Sequence, residues 1–146
     1  MPRPIAFFVA VSLAVGVGAC AHRAPARTDA LGDDGPVLIG WFGGEHVQLT
    51  ARDTGATITY DCAHGAITEP IHLAADGSFA ASGWHVFDQG GPVRPADAYD
   101  AHLARYDGRV DGTLMRLHVT LVDPPRDLGT FILSRAEPGR IIRCRS

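Results

Sequence analysis

Apolar and polar residues alternate along the chain beyond residue 35, and this alternation is the feature that most constrains the fold. Gly, Pro and Asp interrupt it at roughly ten-residue intervals, as they do where short strands are joined by turns. Helical spacing of apolar residues is hard to find in the same region. The pattern predicts an all-β domain, with strands over residues 37–42 running on to 46–52, and over 56–63, 67–73, 78–87, 101–110, 113–122, 128–135 and 140–143.

About eight antiparallel strands joined mostly by short turns predict a small meander barrel that is similar in outline to the lipocalins. Closure is favoured because it removes the exposed edge strands that an open sheet would have. A β-sandwich is the alternative. The longest connection, residues 88–99, contains Gly90-Gly91-Pro92 and has room for a short helical turn at residues 95–98.

Turn residues determine how the predicted strands pair. Asp111-Gly112 is a two-residue hairpin signal. It places Tyr106 opposite Leu117 on one face of the sheet. On the other face it places Asp107 opposite Arg116, so that an acid meets a base.

The first hairpin is predicted to turn over residues 53–55, which places Val47 opposite Cys62. Carried one pair further along the same face, this register brings Glu45 opposite His64 at one end of the barrel. A carboxylate beside an imidazole raises the pKa of the imidazole. The pair is interpreted either as an ion pair on the rim or as the polar part of a binding site.

The beginning of the chain has the features of a secretory signal. One positive charge, Arg3, precedes an apolar run over residues 5–17 that is too short to span a bilayer. The run ends in Val17-Gly18-Ala19-Cys20, which resembles the lipobox of bacterial lipoprotein signals. This resemblance implies cleavage before Cys20 and a lipid on its thiol. Because Ala21 rather than Asp follows, it also implies sorting to the outer membrane, facing the periplasm. A plain secretory signal with an incidental Cys20 is the alternative.

These features divide the chain into three parts. Residues 1–19 are the predicted signal peptide, residues 20–35 the lipidated cysteine with a flexible linker, and residues 36–146 the β-domain. The linker has few large apolar residues and cannot bury enough surface to fold. With Cys20 assigned to lipid, Cys62 and Cys144 are an even pair in an oxidising compartment, which predicts one disulfide. A free buried pair is the alternative.

The balance of charge argues against nucleic acid as a partner. The chain has 13 basic residues, all of them Arg, against 16 Asp and Glu, and its formal net charge is -3. It contains no basic stripe of the kind that binds phosphate backbones. We expect one modest domain, a monomer that contacts the membrane only through its N-terminal lipid.

The well-founded catalytic and metal motifs are absent from the sequence, which has no G-x-S-x-G, H-E-x-x-H, phosphate loop or Cys-x-x-Cys. Histidine is the side chain that titrates near neutral pH. Six histidines beyond residue 35 are scattered over different predicted strands: His46, His64, His72, His85, His102 and His118. We therefore expect no catalytic residue, no metal site and no cofactor.

Two short segments combine an aromatic residue, a histidine and an acid with glycines that permit close backbone approach. They are W-F-G-G-E-H over residues 41–46 and Y-D-C-A-H-G over residues 60–65. With Gly90-Gly91-Pro92 and Cys144, they resemble a family of uncharacterised bacterial secreted or lipoprotein domains, a resemblance that implies no activity. The binding residues predicted from these segments are Trp41, Glu45, His46, Tyr60 and His64.

A vaguer resemblance is to the periplasmic inhibitors of C-type lysozyme, which are small lipid-anchored β-barrels with a Tyr-x-Cys strand and a Cys near the C-terminus. Tyr60-Asp61-Cys62 and Cys144 match that outline. The inhibitory Ser-Gly-x-x-Tyr loop has no match, because Ser82-Gly83 is followed by Trp84-His85-Val86.

The leading functional hypothesis is a non-enzymatic binding domain that recognises a small ligand or an envelope partner through one end of the barrel. Three alternatives stay open. They are an inhibitor of lysozyme or another wall hydrolase, a periplasmic metal-binding protein that uses His46 and His64, and a hydrolase with an unrecognised acid–histidine site. An apolar pocket at a barrel end with convergent polar groups would favour the leading hypothesis.

Overall fold

The structure is a computed structural model, and it describes residues 35–88, 100–142 and 144. The predicted signal peptide, Cys20 and almost all of the predicted linker lie outside the described residues. The predicted helical turn at residues 95–98 and Arg143 of the last predicted strand lie outside them too. Within the described part of the chain, no helix that could cross a membrane is found.

The described residues form eight strands: β1 (Gly40–Gly44), β2 (Val47–Arg52), β3 (Gly55–Tyr60), β4 (Ala63–Ile67), β5 (Ser78–Phe87), β6 (Ala101–Asp111), β7 (Leu114–Leu121) and β8 (Arg126–Arg135). Each strand is antiparallel to the next, and β1 also pairs with β8, which closes the barrel. The predicted eight-stranded meander barrel is confirmed, and the sandwich is not formed. We call the end at which the odd-numbered strands finish the upper end, and the opposite end the lower end.

The barrel interior follows from the alternation in the sequence. In β7, buried residues alternate with residues that face outward. The inward residues of this strand are Met115, Leu117, Val119 and Leu121. Burying one such side chain stabilises the fold by about 1.5–3 kcal/mol. The same alternation in the other strands supplies the rest of the core.

Tyr106 fills the middle of the interior and is fully buried. Gly65 makes room for it, since a Cβ at that position would collide with the Tyr106 hydroxyl, and Gly83 lies against the same ring. The hydroxyl donates a hydrogen bond to the carbonyl oxygen of Trp84 at 2.8 Å. Burial raises the pKa of Tyr106 to about 12. The two glycines in the strands therefore provide interior space for a large side chain.

Residues 68–77 form a connection, so the predicted strand over residues 67–73 is wrong, and β4 lies where a turn was predicted. The Leu38 N–H donates to the Ile71 carbonyl at 2.8 Å, and the Leu73 N–H donates to the Pro36 carbonyl at 3.0 Å. Leu38 and Ile71 are only 1% and 2% exposed. These two side chains cover the lower end, and their burial determines the path of the connection.

The β2–β3 hairpin turns over residues 53–54, and Gly55 is already part of β3. Val47 pairs with Tyr60, so the predicted pairing with Cys62 is wrong by two residues, although the inward face is as predicted. Gly55 has a φ of 138°, and a Cβ there would collide with the backbone of β4. The glycine is needed for the close approach of another strand, which a local turn signal does not reveal.

The β6–β7 hairpin turns over Gly112-Thr113, one residue later than predicted. Gly112 has a φ of 58°, which fits a type II′ turn, where glycine takes the first central position. Tyr106 consequently pairs with Val119, two residues from its predicted partner. The predicted pairing of Asp107 with Arg116 is wrong for the same reason.

After β8 the chain returns along the outside of β1 towards the upper end. The Ala136 N–H donates to the Trp41 carbonyl at 2.9 Å, and the Arg140 N–H donates to the Gly44 carbonyl at 2.9 Å. In place of the predicted strand over residues 140–143, the structure has an isolated parallel bridge between Arg140 and Glu45. We call residues 136–142 the C-terminal segment.

The C-terminal segment leads to the turn between β3 and β4. The Ile142 N–H donates to Oδ1 of Asp61 at 2.8 Å. The Cα atoms of Cys62 and Cys144 are 5.4 Å apart, within the span of a disulfide. The two cysteines therefore lie at disulfide distance, as the cysteine count predicts.

Candidate binding site at the upper end

A cavity of about 260 Å³ opens at the upper end of the barrel, and we call it the upper-end pocket. Its walls are mostly apolar. The lining residues are His46, Tyr60, Asp61, Cys62, Ala63, His85, Phe87, Leu128 and Phe131. Two further cavities, of about 230 and 220 Å³, lie mainly among outward-facing residues of the sheet.

The alternation of β5 brings His85 into the pocket. Phe79, Gly83 and His85 face the interior, whereas Trp84 points to the other side of the sheet. His85 is 3% exposed, the least of any histidine in the described part of the chain. Its ring centroid lies 5.1 Å from that of Tyr60 and 4.7 Å from that of Phe87. The imidazole is therefore enclosed by aromatic rings.

Two buried polar side chains in this pocket have no hydrogen-bond partner among the described residues. They are His85, at both ring nitrogens, and Tyr60, at its hydroxyl. Leaving a buried donor or acceptor unpaired costs about 1–3 kcal/mol. Buried polar groups in native proteins are usually satisfied, so unpaired ones need an explanation. A ligand that supplies the missing partners is one.

Both of these groups are held in their neutral forms. Burial lowers the pKa of His85, and the neighbouring imidazoles of His102 and His64 lower it further. Burial also raises the pKa of Tyr60 above its ordinary value of 10.0, and the nearby Tyr106 raises it further. A neutral imidazole has one donor nitrogen and one acceptor nitrogen, and a phenol can donate and accept. The pocket thus offers uncharged hydrogen-bonding groups.

Aromatic rings form much of the wall and of its surroundings. The ring of Phe131 lies 5.4 Å from that of Tyr60, and His102 lies 5.7 Å from Phe87. The guanidinium carbon of Arg126 is 5.8 Å from the Phe87 ring centroid. Such spacings are those of tilted and edge-to-face ring pairs. An aromatic or other flat apolar ligand would find similar contacts here.

The rim of the pocket is held by Asp61. One carboxylate oxygen lies 2.5 Å from Nδ1 of His46, and the other accepts the Ile142 N–H. His46 has a φ of 65°, a conformation that is uncommon for residues other than glycine. Its own N–H donates to the Arg140 carbonyl at 3.0 Å. The rim is thus fastened to the C-terminal segment, and both oxygens of its carboxylate are occupied.

Two of the five predicted binding residues, Tyr60 and His46, line the pocket. The other three lie elsewhere. Glu45 accepts a hydrogen bond from Nη1 of Arg140 at 2.9 Å, whereas Nδ1 of His64 lies 2.7 Å from Oδ1 of Asp88. The predicted Glu45–His64 pair is therefore not formed, because the register on which it depends is wrong. Trp41 is 43% exposed on the outside of the barrel.

The prediction missed the residues that give the pocket its chemistry, above all His85. Phe87, Leu128 and Phe131 were missed as well. One signal was present in the sequence. His85 occupies the same alternation as Phe79, which places a histidine on an otherwise apolar face.

The histidines do not assemble a metal site in the described part of the chain, where no group of three or more His, Cys, Asp or Glu side chains could hold an ion. Most of them pair separately with a single carboxylate. Besides the pairs of His46 and His64, His102 lies 2.9 Å from Asp100 and His118 lies 3.0 Å from Asp127. The described residues thus contain no ligand cluster that would support the metal-binding hypothesis.

No inhibitory loop that would support the lysozyme-inhibitor hypothesis is formed around Ser82-Gly83. Ser82-Gly83 lies inside β5, not in a loop, and Gly83 is buried. In comparisons with known proteins, no protein-family model, no curated protein sequence and no solved structure matches this chain.

Proposed function

We propose that this protein is a lipoprotein anchored to the outer membrane on its periplasmic side, and that its barrel binds a small ligand in the upper-end pocket without chemical turnover. The observation that supports binding is the enclosure of two unpaired polar groups, on His85 and Tyr60, in an apolar cavity. Ligand sites are typically concave and apolar with a few convergent polar groups. A small molecule fits this cavity better than an envelope protein does, because the polar groups are buried.

The size of the cavity limits the ligand. An apolar cavity of about 150 Å³ is enough to hold benzene. The upper-end pocket, at about 260 Å³, has room for a two-ring molecule. This volume is slightly below the usual range for ligand pockets, which begins near 300 Å³, so the ligand must be small.

The lipid anchor is supported by Val17-Gly18-Ala19-Cys20 after a short apolar run. A linker rich in Ala, Asp, Arg and Gly follows and would separate the barrel from the lipid headgroups. Two or more acyl chains anchor a protein stably, whereas one chain does not. A Cys62–Cys144 disulfide is part of the proposal and suits an oxidising compartment.

The anchor is tested by mass spectrometry of the native N-terminus, which should show an acylated Cys20. The Cys20→Ala variant should be released from the membrane or remain unprocessed. Unmodified protein cleaved at another position would contradict the proposed anchor.

Binding is tested with naphthalene, an apolar two-ring molecule, by following backbone amide signals in two-dimensional NMR spectra. We expect shifts confined to the upper-end pocket. The Leu128→Trp variant should fill the pocket and abolish them. The matched Leu114→Trp variant should keep them, because Leu114 is exposed on the barrel exterior. Absent or scattered shifts in the unmodified protein would contradict binding in the pocket.

A further inference from the structure

We infer that the ligand of the upper-end pocket is an uncharged aromatic molecule with a hydroxyl group, and that this group is bound between His85 and Tyr60. The inference rests on the proposed binding function and adds the chemical class of the ligand to it. It draws on the geometry of the two unpaired side chains, on the charges around the pocket and on the rings that line it.

A hydroxyl group matches the two unpaired side chains. The His85 and Tyr60 rings are 5.1 Å apart at their centroids, and both residues line the pocket, so one ligand can lie against both. A neutral imidazole presents one donor and one acceptor, and the phenol of Tyr60 can donate. A ligand hydroxyl can accept from one of them and donate to the other. A hydrocarbon can do neither, and it would leave both groups unsatisfied.

A carboxylate ligand does not match the charges around the pocket. The acidic side chain on the lining is that of Asp61, whose carboxylate would repel an anion. Arg126 lies beyond the Phe87 ring, 5.8 Å from its centroid, and does not line the pocket. An anion would therefore lose its hydration without gaining a buried cationic partner.

A cationic ligand does not match either. Asp61 is the acid that could pair with it, and both carboxylate oxygens of Asp61 are already bonded, one to His46 and one to the Ile142 N–H. An ammonium group would have to share this carboxylate with the two contacts that fasten the rim to the C-terminal segment. An uncharged ligand does not need this carboxylate as a partner.

The aromatic wall of the upper-end pocket favours a ligand that contains a ring. Tyr60, Phe87 and Phe131 present aromatic surfaces, and the observed ring spacings of 4.7–5.4 Å are those at which aromatic groups pack against one another. A planar ligand can add to this arrangement with its hydroxyl directed at His85.

The test compares three molecules of the same ring system: 2-naphthol, naphthalene and 2-naphthoate. Their affinities for the purified protein are measured by the same NMR titration near neutral pH. We expect 2-naphthol to bind at least about tenfold more tightly than either of the others. In the His85→Leu variant this preference should fall to about threefold or less, while naphthalene still binds. Tyr60→Phe should reduce the preference by a smaller factor.

The matched control is His118→Leu, the same substitution at a histidine that pairs with Asp127 outside the pocket. It should leave the preference unchanged. If His85→Leu does not fold, His85→Gln and Tyr60→Phe provide the same comparison. Equal affinity for naphthalene and 2-naphthol, or tighter binding of 2-naphthoate, would overturn the ligand class while the proposed function stands. If none of the three molecules binds, the proposed function fails as well.

Discussion

The two ends of the barrel are built from the same strands but differ in the side chains that are buried there. At the lower end, Leu38 and Ile71 are almost fully buried, and the backbone of their segments is paired by hydrogen bonds. At the upper end, His85 and Tyr60 are also buried, but their polar atoms have no partner in the described part of the chain. Apolar closure of the lower end stabilises the fold. The upper end keeps unpaired polar groups, which is the condition for recognising a ligand.

The largest effect is expected from Cys62 and Cys144, which lie at disulfide distance near the upper end. Cys62 and Cys144 are 82 residues apart, and for a loop of this size closure entropy corresponds to about 4.5 kcal/mol of unfolding free energy. Replacing both with Ser should lower stability in chemical denaturation by about that amount. Reductant should destabilise the unmodified protein and leave the double variant unchanged. Free labelling of both thiols in the native protein would show that the bond is absent.

The next effect concerns the lower end. Leu38→Ala should lower the unfolding free energy by about 3 kcal/mol, because it removes a fully buried side chain and leaves a cavity. Leu114→Ala, at an exposed leucine, should change it by less than about 0.5 kcal/mol. Naphthalene binding at the upper end should be unaffected by Leu38→Ala. Loss of binding would mean that the two ends are coupled and that the comparison between them is wrong.

At the upper end, a substitution is expected to raise the unfolding free energy instead of lowering it. His85→Leu should raise the unfolding free energy by about 1 kcal/mol, because an apolar side chain of similar size replaces unsatisfied polar atoms. His118→Leu serves as the control and should not stabilise the protein, since His118 already has Asp127 as a partner. Equal unfolding midpoints in denaturant for His85→Leu and the unmodified protein would indicate that His85 is satisfied in the native state.

The smallest effect is the dependence of stability on pH. The pKa of His85 is lowered from 6.5 in the folded protein by burial, with His102, His64 and Arg126 acting in the same direction and Asp88 opposing them. Between the two pKa values the unfolded chain binds more protons than the native one, so stability is lost as pH falls below 6.5. The loss should be smaller in His85→Leu. Parallel pH profiles for the two proteins, measured by thermal unfolding, would contradict this contribution of His85.

The sequence predicted the faces of strands better than their pairing. Val47 and Tyr106 both point inward as expected, yet both pair two residues away from the predicted partners. A shift by two preserves the face, so alternation cannot detect the error. For Val47 the error arose because Gly55 is required by contact with β4 and not by its own turn. For Tyr106 it arose because the β6–β7 turn lies over Gly112-Thr113, one residue later than predicted.

The same limit applied to the candidate site. Tyr60 and His46 were found because each lies in a short segment with an acid and glycines, which is a local signal. Glu45 and His64 were paired through a register that the structure does not have. In the sequence, His85 is one of six scattered histidines. Only the fold shows that His85, in β5, lies against Tyr60, a residue of β3.

By itself, the sequence determined that the domain is all-β, that its strands form a meander, and that Cys62 and Cys144 approach each other. These properties follow from the alternation of apolar and polar residues, from turn residues and from the number of cysteines. All three can be read from the sequence without knowing which strands are neighbours. Only the tertiary structure decided which end of the barrel is filled and which histidine is buried without a partner. Both depend on side chains from strands that are distant in the sequence. Closure of the sheet into a barrel brings these side chains together. It also buries His85, which leaves its imidazole neutral and without a hydrogen-bond partner.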